Sequence, residues 1–481
     1  MKKYFALKQH LHKALLWGAG LFAFIWLLVR SGQNPKRLAY PCQQTAFPLA
    51  SAWFLVTTGF FTSLFSTKNL KIKIAVLVAG FFVIAGGGYY VYTKKFPPVP
   101  KVQTPLTWQT ENPVSKVFLL QSIQEEKKSL NNPESSNIPL EYLSDKPMDD
   151  LFELMRKNGL DIYKTAANTN GLIPDNAIVV IKGNFQWDYR LGTNTDRIKG
   201  LIWAILNHPE GFKGEVLVCE NTQYEGRGIG DNTNNSFDPE QSIADVTNAF
   251  KNKGYKVDLV NWTKLNEIAV NEYTEGDYTS GYVFEEQTKL SYPKFTSPYN
   301  SKISAKNGVW DENTNTYDSS RLVIINFPVL KVHSIMGATI ALKNWIGLIS
   351  LANLEERFGD YETMHEKYFF SEYALPARSM AQTFPELTIV DATWISFMDN
   401  YTNWNGNFIH AGMMLASTDP LAVSWYASKH ILTPVALSPE NANPDGQGSY
   451  GTIFNHFVNY LRDSTHFVCT TDSTKISIIT Y

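Results

Sequence analysis

Residues 321–350 bring together the side-chain types in this chain that could do chemistry. A buried-strand pattern is followed by Lys331 and His333, and then by a stretch of helical periodicity that contains Lys343 and Asn344. Lysine and histidine are costly to hold near apolar surface unless they are used. Ligands of open α/β sheets bind beyond the carboxyl ends of strands, where strand-to-helix crossings of this kind lie. We therefore predict a functional site here.

Two of these side chains, Lys343 and His333, are the strongest candidates for a catalytic role. Lys343 is flanked by Leu342 and Trp345, and loss of solvation makes a lysine amine a better nucleophile or covalent anchor. His333 could act as an acid, a base or a metal ligand. The alternative is structural: the lysine head group reaches water from an apolar surface, beside a strand-end histidine without a role.

Three further groups of polar residues follow predicted strands. Lys182 and Asn184 come directly after the strand 177–181, where a simple turn would explain them equally well. Asp391 follows another strand and supplies a carboxylate at its end. Asp419 precedes a predicted helix, and capping of that helix alone would account for it. We include all four as candidates, Asp391 as catalytic and the others as ligand-binding.

Other features of the sequence give no further candidate site. The glycine run 226–230 could let backbone N–H groups approach a phosphate, but a polar loop follows it and no helix begins there, so it is not a dinucleotide-binding fingerprint. The three cysteines show no CxxC spacing, so we expect neither a zinc site nor an iron–sulfur cluster, and we predict no metal ligands. A net charge of −2 gives no reason to expect nucleic-acid binding.

The elements that must position these residues alternate between strands and helices. Predicted strands at 177–181, 215–219, 255–260, 322–327 and 387–390 are separated by helical patterns. This alternation predicts an α/β fold with a mainly parallel sheet and helices on both faces. The pattern also predicts a helix over 336–349 and a short helical stretch near 116–128, and it leaves 263–320 as a long polar insertion.

The beginning of the chain has the character of a membrane region. Uncharged apolar segments occur at 14–29, about 47–65 and about 74–92, and the last two are long enough to cross a hydrocarbon core of about 30 Å. We predict three transmembrane helices within residues 1–95, then a linker over 96–147 and a soluble α/β domain over 148–481. The first segment could instead be an interfacial or uncleaved-signal helix.

The charges beside these segments barely discriminate between the two orientations. A cytoplasmic amino terminus is favoured because its basic residues are not diluted by acidic ones. Three spans would then place the soluble domain outside the cytoplasm. The expectation is an integral protein of a bacterial inner membrane with an extracytoplasmic domain, and the orientation reverses if the first segment does not cross.

The pattern NFPVLKVHSIMGATIALKNWIGLI, with TIVDA and LASTDPLAV downstream, resembles the uncharacterised "domain of unknown function 362" family. The resemblance covers about residues 170–435. Some members of that family carry a ferredoxin-type cysteine cluster, which this chain lacks. Many members have Asp where this sequence has Ser424.

A fainter similarity links His333 and Lys343 to nickel-dependent lactate racemases, in which a His and a Lys at this spacing flank a glycine-rich segment. The resemblance would make the lysine a covalent anchor for a nickel-pincer nucleotide and the histidine a proton-transfer group. The paired glycines of that segment are replaced here by residues of 339–341.

Three functions remain open at this point. The first is a membrane-anchored enzyme with a cationic strand-end pocket that takes a small anionic substrate or a phosphate-bearing or metal cofactor. The second is a non-catalytic envelope protein that binds an anionic ligand or a partner protein. The third is a structural subunit of a membrane complex. The pocket would combine Lys182, Asn184, Lys331, His333, Lys343, Asn344 and Asp391.

Overall fold

The computed structural model describes residues 114–481 with gaps. The gaps are 125–129, 131–137, 188, 224–234, 239, 267, 286–287, 289, 334, 351–373, 399–407, 464–468 and 471–472. The three predicted membrane segments and the glycine run lie outside the described residues. Among the helices that are described, none has the length and apolar character needed to cross a membrane.

Strands account for two sheets and a small parallel pair. In chain order they are β1 (Ser115–Leu120), β2 (Tyr163–Lys164), β3 (Ile173–Pro174), β4 (Ile178–Lys182), β5 (Glu215–Glu220), β6 (Val257–Asn261), β7 (Ala269–Val270), β8 (Gly281–Phe284), β9 (Ser291–Thr296), β10 (Lys302–Ser304), β11 (Gly308–Asp311), β12 (Thr316–Asp318), β13 (Leu322–Asn326), β14 (Val329–His333), β15 (Gly337–Thr339), β16 (Leu387–Ser396), β17 (Phe408–Ser417) and β18 (Ile476–Ile479).

Helices connect the strands of the main sheet. They are α1 (Lys146–Lys157), α2 (Thr195–Leu206), α3 (Ile243–Lys251), α4 (Ala341–Asn344), α5 (Leu375–Gln382), α6 (Pro420–Tyr426), α7 (Pro439–Ala442) and α8 (Ser449–Asp463). A 3₁₀ turn, Trp345–Leu348, continues α4, and a π-helical turn, Ala427–Leu432, continues α6. Capping side chains explain where two of the helices begin. Asn194 caps the N-terminus of α2, and a capping box of Ser242 and Asp245 begins α3.

The main sheet has the order β18-β1-β17-β16-β13-β4-β5-β6, and the hairpin of β14 and β15 joins it beside β16. Strands β16, β13, β4, β5 and β6 run parallel, whereas β17 is antiparallel to both of its neighbours. All five residues of β4 are buried, as expected for a parallel strand covered on both faces. The prediction of a mixed α/β fold with a mainly parallel sheet is confirmed.

Two apolar cores lie against the main sheet. Helices α1, α2 and α3 form one core with strand residues such as Val179, and they contribute Met148, Leu201 and Val246. Helices α5, α6 and α8 form the other with strand residues such as Val180, and they contribute Leu375, Leu421 and Ile453. The alternation of neighbouring strand residues between the two cores follows from the period of a strand.

The polar insertion contains a second sheet, which its composition did not reveal. Strands β7 to β12 form a six-stranded sheet in simple chain order, with antiparallel pairing throughout except between β7 and β8. It contacts the main domain where Asn221 Nδ2 donates to the hydroxyl of Tyr282 at 2.7 Å, and where Ser350 N donates to Ser291 Oγ at 3.0 Å. This sheet therefore lies at the carboxyl ends of the parallel strands.

Two helix predictions are wrong. Residues 336–349 form β15, α4 and a 3₁₀ turn, because Gly337 adopts a left-handed backbone (φ +75°) and turns the chain back to pair with β14. Residues 115–120 form β1 and not the start of a helix, pairing with β17 and β18. The predicted linker therefore contributes a strand to the main sheet, and the folded domain begins before residue 148.

Candidate functional site

The order of the main sheet reverses between β4 and β13. From β4 the chain proceeds to β5 and β6 on one side, and it later returns to β13 and β16 on the other. The carboxyl ends of these two strands lie side by side, with Lys182 opposite Asn326. Such a reversal opens a crevice outside the strand ends, which is where open α/β sheets bind ligands. The predicted residues can now be placed around it.

Lys182 lies in a buried polar network. Its Nζ donates to Glu220 Oε2 at 2.9 Å, to Asn344 Oδ1 at 3.0 Å and to the carbonyl of Gly183 at 2.7 Å. The amide of Asn344 in turn donates to Asn326 Oδ1 at 2.8 Å. We name Lys182, Glu220, Asn326 and Asn344 the Lys182 network; its four side chains are all buried.

The Lys182 network is closed to solvent. A Cβ on Gly347 would lie 2.1 Å from Glu220 Oε1 and 2.4 Å from Lys182 Nζ, so the backbone after α4 closes directly on the ion pair. Burial lowers the pKa of Lys182 and raises the pKa of Glu220, while the attraction between the two charges opposes both shifts. The network therefore neutralises Lys182, and it contributes no net charge to a cationic pocket.

Asp391 is held by three hydrogen-bond donors. Its Oδ2 accepts from the backbone N–H of Asn194 at 2.9 Å and from Asn235 Nδ2 at 3.2 Å, and its Oδ1 accepts from the backbone N–H of Thr393 at 2.9 Å. The carboxyl group is fully buried, and burial raises its pKa while the backbone donors oppose the shift. This side chain is fixed in place at the start of α2.

Asn184 meets the same loop. Its backbone N–H donates to Thr193 Oγ1 at 2.9 Å, and its carbonyl accepts from the N–H of Thr193 at the same distance. Thr193 Oγ1 donates to the carbonyl of Phe327, which follows β13. The loop before α2 therefore joins the ends of β4 and β13 to Asp391 on β16.

Lys331 also reaches this loop. Its Nζ donates to the carbonyl of Leu191 at 2.6 Å, and the side chain is 6% exposed. Thr339 is its partner across the hairpin, and Val329 pairs with Asp391. Lys331 itself pairs with Ser396, and the register with β16 shifts between Val329 and Lys331, so Lys331 and Asp391 are linked through the loop before α2, which both contact. We name this group the Asp391 cluster: Asn184, Thr193, Asn194, Asn235, Lys331, Thr339 and Asp391.

Among the residues that the structure describes, three buried polar atoms of the Asp391 cluster have no hydrogen-bond partner. They are Asn184 Oδ1, Asn194 Nδ2 and Thr339 Oγ1, on side chains that are at least nine-tenths buried. More than 90% of buried polar groups in proteins are paired, and leaving one unpaired costs about 1–3 kcal/mol. Three of them in one cluster indicate a place built to hydrogen-bond something else.

His333 lies beside Lys331 on the same face of β14 and is half-buried. Its Nδ1 accepts from the backbone N–H groups of Ile335 and Met336 at 3.2 and 3.1 Å. A ring nitrogen that faces two donors carries no proton, so the neutral ring is protonated on Nε2. His333 is thus arranged to donate from Nε2.

Lys343 and Asp419 have different positions. Lys343 is half-buried on α4, between the buried side chains of Leu342 and Asn344. Asp419 is fully buried at the start of α6, where its Oδ1 accepts from the N–H groups of Leu421 and Ala422. Its Oδ2 accepts from Ser115 Oγ and Thr470 N. Capping and strand anchoring account for Asp419 without a ligand, as the structural alternative predicted.

Neither the metal nor the nickel-pincer possibility finds a fitting set of residues. Within the described part of the chain, no three His, Cys, Asp or Glu side chains come together as candidate metal ligands. Thr339, Ile340 and Ala341, which stand where the racemase segment has paired glycines, are all buried. We therefore derive no chemistry through such a cofactor.

Sequence reasoning missed several residues of these groups. Glu220 is the last residue of β5 as Lys182 is the last residue of β4, and this shared position at the strand ends was the available signal. Asn194 looked like an ordinary helix start. Nothing in the local sequence marked Asn235, because its contact with Asp391 spans 156 residues.

Comparison with known proteins supports one family. Residues 319–429 match the model of a family described as "Domain of unknown function (DUF362)". No curated protein and no solved structure matches the chain. The matched segment runs from β13 into the turn after α6 and contains Lys331, His333, Asn344 and Asp391. The predicted resemblance is confirmed: over residues 319–429 this chain is similar to the DUF362 family.

Proposed function

We propose that the chain binds a small anionic ligand at the Asp391 cluster. The observation that carries the proposal is the set of three buried, unpartnered polar atoms, Asn184 Oδ1, Asn194 Nδ2 and Thr339 Oγ1, beside the strand-order reversal. A ligand with hydrogen-bonding groups would satisfy them and remove their desolvation cost. The position agrees with the general location of ligand sites in open α/β sheets.

Two cationic side chains support an anionic ligand. Lys331 contributes a buried positive charge to the cluster. Arg190 directly precedes Leu191, the residue whose carbonyl accepts from Lys331. The guanidinium of Arg190 lies 3.9 Å from the centre of the Trp394 ring. Arg190 also donates to Asn235 Oδ1, whose amide group donates to Asp391. Stacking on an aromatic ring orients a guanidinium for recognition of carboxylate or phosphate.

An enzymatic role rests on His333. Its Nε2–H lies on the face of β14 that carries Lys331, so it can give a proton or hydrogen bond to a ligand held by that lysine. A binding protein without turnover is the second function, and it needs the Asp391 cluster alone. His333→Ala separates the two, because it should abolish turnover and leave ligand binding within a few-fold of wild type.

The membrane region completes the proposal. The apolar segments at 14–29, 47–65 and 74–92 support anchoring through about three transmembrane helices, with the α/β domain outside the cytoplasm of a bacterial cell. An anchored domain of this kind would meet small anionic solutes, or partner subunits of a membrane complex, at the envelope.

The test is the melting temperature of the full chain in detergent with a panel of small anions: inorganic phosphate, pyrophosphate, citrate and glycerol phosphate. Binding to the folded state alone stabilises it by about 2.7 kcal/mol at a hundred times the dissociation constant. For a domain of this size that is a rise of roughly 3–4 °C. Lys331→Met should abolish the rise.

Lys302→Met is the matched control. Lys302 is as buried as Lys331 but lies in the second sheet, where it pairs with Glu312. The control variant should keep the full rise in melting temperature. The proposal fails if no anion of the panel stabilises the wild-type chain, or if Lys331→Met responds as the wild type does.

A further inference from the structure

We propose that the Lys182–Glu220 ion pair is a positioning device for the Asp391 cluster, and that Gly347 and Asn344 of the family-matched segment serve this pair and not a ligand. The inference rests on the proposed function for the site that is positioned. It assigns the most specific part of the sequence motif, LKNWIGL, to holding the turn after β4 in its shape.

The ion pair forms hydrogen bonds to the backbone of this turn on both sides of Asn184. Lys182 Nζ donates to the carbonyl of Gly183, and Glu220 Oε2 accepts from the backbone N–H of Phe185 at 3.3 Å. Between these two contacts, the N–H and carbonyl of Asn184 are both bonded to Thr193. The backbone of Asn184 is thus fixed from two directions, which fixes the position from which its side chain extends.

The same contacts extend to Asp391. Thr193 precedes Asn194, whose N–H donates to Asp391. Loss of the turn after β4 would therefore release the loop before α2, and with it one of the three donors that hold the carboxylate. The ion pair touches none of these groups directly and acts on them through the backbone.

Gly347 and Asn344 complete the pair. Asn344 accepts from Lys182 Nζ through Oδ1, and its Nδ2 donates to Asn326, which ties α4 to the ends of β4 and β13. Gly347 admits the ion pair because any Cβ there would collide with both charged groups. The backbone of this turn takes the place of water around the pair.

Stability alone does not explain a buried ion pair at this position. Apolar residues of similar volume often replace such a pair with no loss of stability, whereas removal of one partner alone is strongly destabilising. An apolar pair would fill the same volume here but could not hold the Gly183 carbonyl and the Phe185 N–H. The feature that would be lost is the shape of the turn.

Hydrogen exchange on the full chain in detergent tests this. Lys182→Met alone and Glu220→Leu alone should lower the melting temperature sharply, since each leaves a buried charge unpaired. The double variant should recover most of that loss. Its amides at 183–194 should nevertheless exchange at least tenfold faster than in wild type, while amides at 198–206 within α2 keep their rates.

Lys302→Met with Glu312→Leu is the control pair, because it removes an ion pair of the second sheet and should leave exchange at 183–194 unchanged. Wild-type exchange at 183–194 in the Lys182→Met/Glu220→Leu chain would overturn the inference. Because the exchange is measured without any anion, its outcome does not depend on the result of the anion panel. Faster exchange with no stabilising anion would reject the proposed function alone.

Discussion

At the scale of single residues, the structure separates side chains of the same type by what they touch. Lys182 and Lys331 are both buried lysines at the carboxyl edge of the main sheet. Lys182 is neutralised by Glu220, whereas Lys331 lies in the cluster that holds unpartnered polar atoms. We accordingly propose that Lys182 has an architectural role and that Lys331 contacts the ligand.

Gly347→Ala is the most direct test of the closed Lys182 network. The added methyl group would lie 2.1 Å from Glu220 Oε1, so backbone or ion pair must shift. We expect the free energy of unfolding to fall by about 2–4 kcal/mol, as for other overpacked or network-breaking substitutions. Gly446→Ala is the control, with its nearest atom at an ordinary 3.4 Å, and it should cost less than about 1 kcal/mol. Equal melting temperatures for the two variants would contradict the geometry.

At the scale of elements, the strands β13 and β16 are joined by a titratable group. Glu386, directly before β16, accepts through Oε2 from the N–H of Ile324 at 2.6 Å, and its own N–H donates to the carbonyl of Ile324. Burial raises the pKa of Glu386 from 4.5 to about 7. The junction between the two strands is therefore sensitive to pH near neutrality.

The sign of this effect follows from the raised pKa. The folded state favours the protonated carboxyl, so the stabilisation is complete below about pH 4.5 and is lost as the pH rises through about 7. Glu386→Gln keeps an acceptor for the N–H of Ile324 and cannot ionise. Between pH 5 and 8 the free energy of unfolding of this variant should therefore fall by roughly 2–3 kcal/mol less than that of wild type. Denaturant unfolding at several pH values measures the difference. A plot of unfolding free energy against pH for Glu386→Gln that runs parallel to the wild-type plot would refute this prediction. Glu240 is exposed and serves as the control, so the plot for Glu240→Gln should run parallel to that of wild type.

At the scale of the whole molecule, the proposed anchoring fixes where the ligand site operates. If the chain has three transmembrane segments and a cytoplasmic amino terminus, as proposed, the α/β domain would lie outside the cytoplasm. Protease added to cells with a permeabilised outer membrane should then digest the domain, and the domain should be protected in inverted inner-membrane vesicles. The opposite pattern would reverse the orientation and indicate that one of the three segments does not cross.

The sequence by itself determined the class of the fold, because buried parallel strands such as β4 are continuous apolar runs and their connecting helices have clear periodicity and caps. It also predicted a candidate site, since polar residues directly after strands meet at one edge of a parallel sheet. Local pattern failed at residues 336–349, where a left-handed Gly337 and pairing with β14 override helical periodicity. It failed again in the second sheet, whose short strands, with buried residues such as Tyr282, Phe295 and Ile303, lie within a segment of mainly polar composition.

Tertiary structure alone decided which candidates belong together. Lys182 and Asn344 are 162 residues apart and share one buried network, while Asn184 and Asp391 meet through the loop before α2. Glu220 turned a candidate ligand-binding lysine into part of an internal ion pair. Such outcomes depend on which charges and donors lie within about 3 Å across distant segments, and periodicity and strand-end position contain no information about that distance.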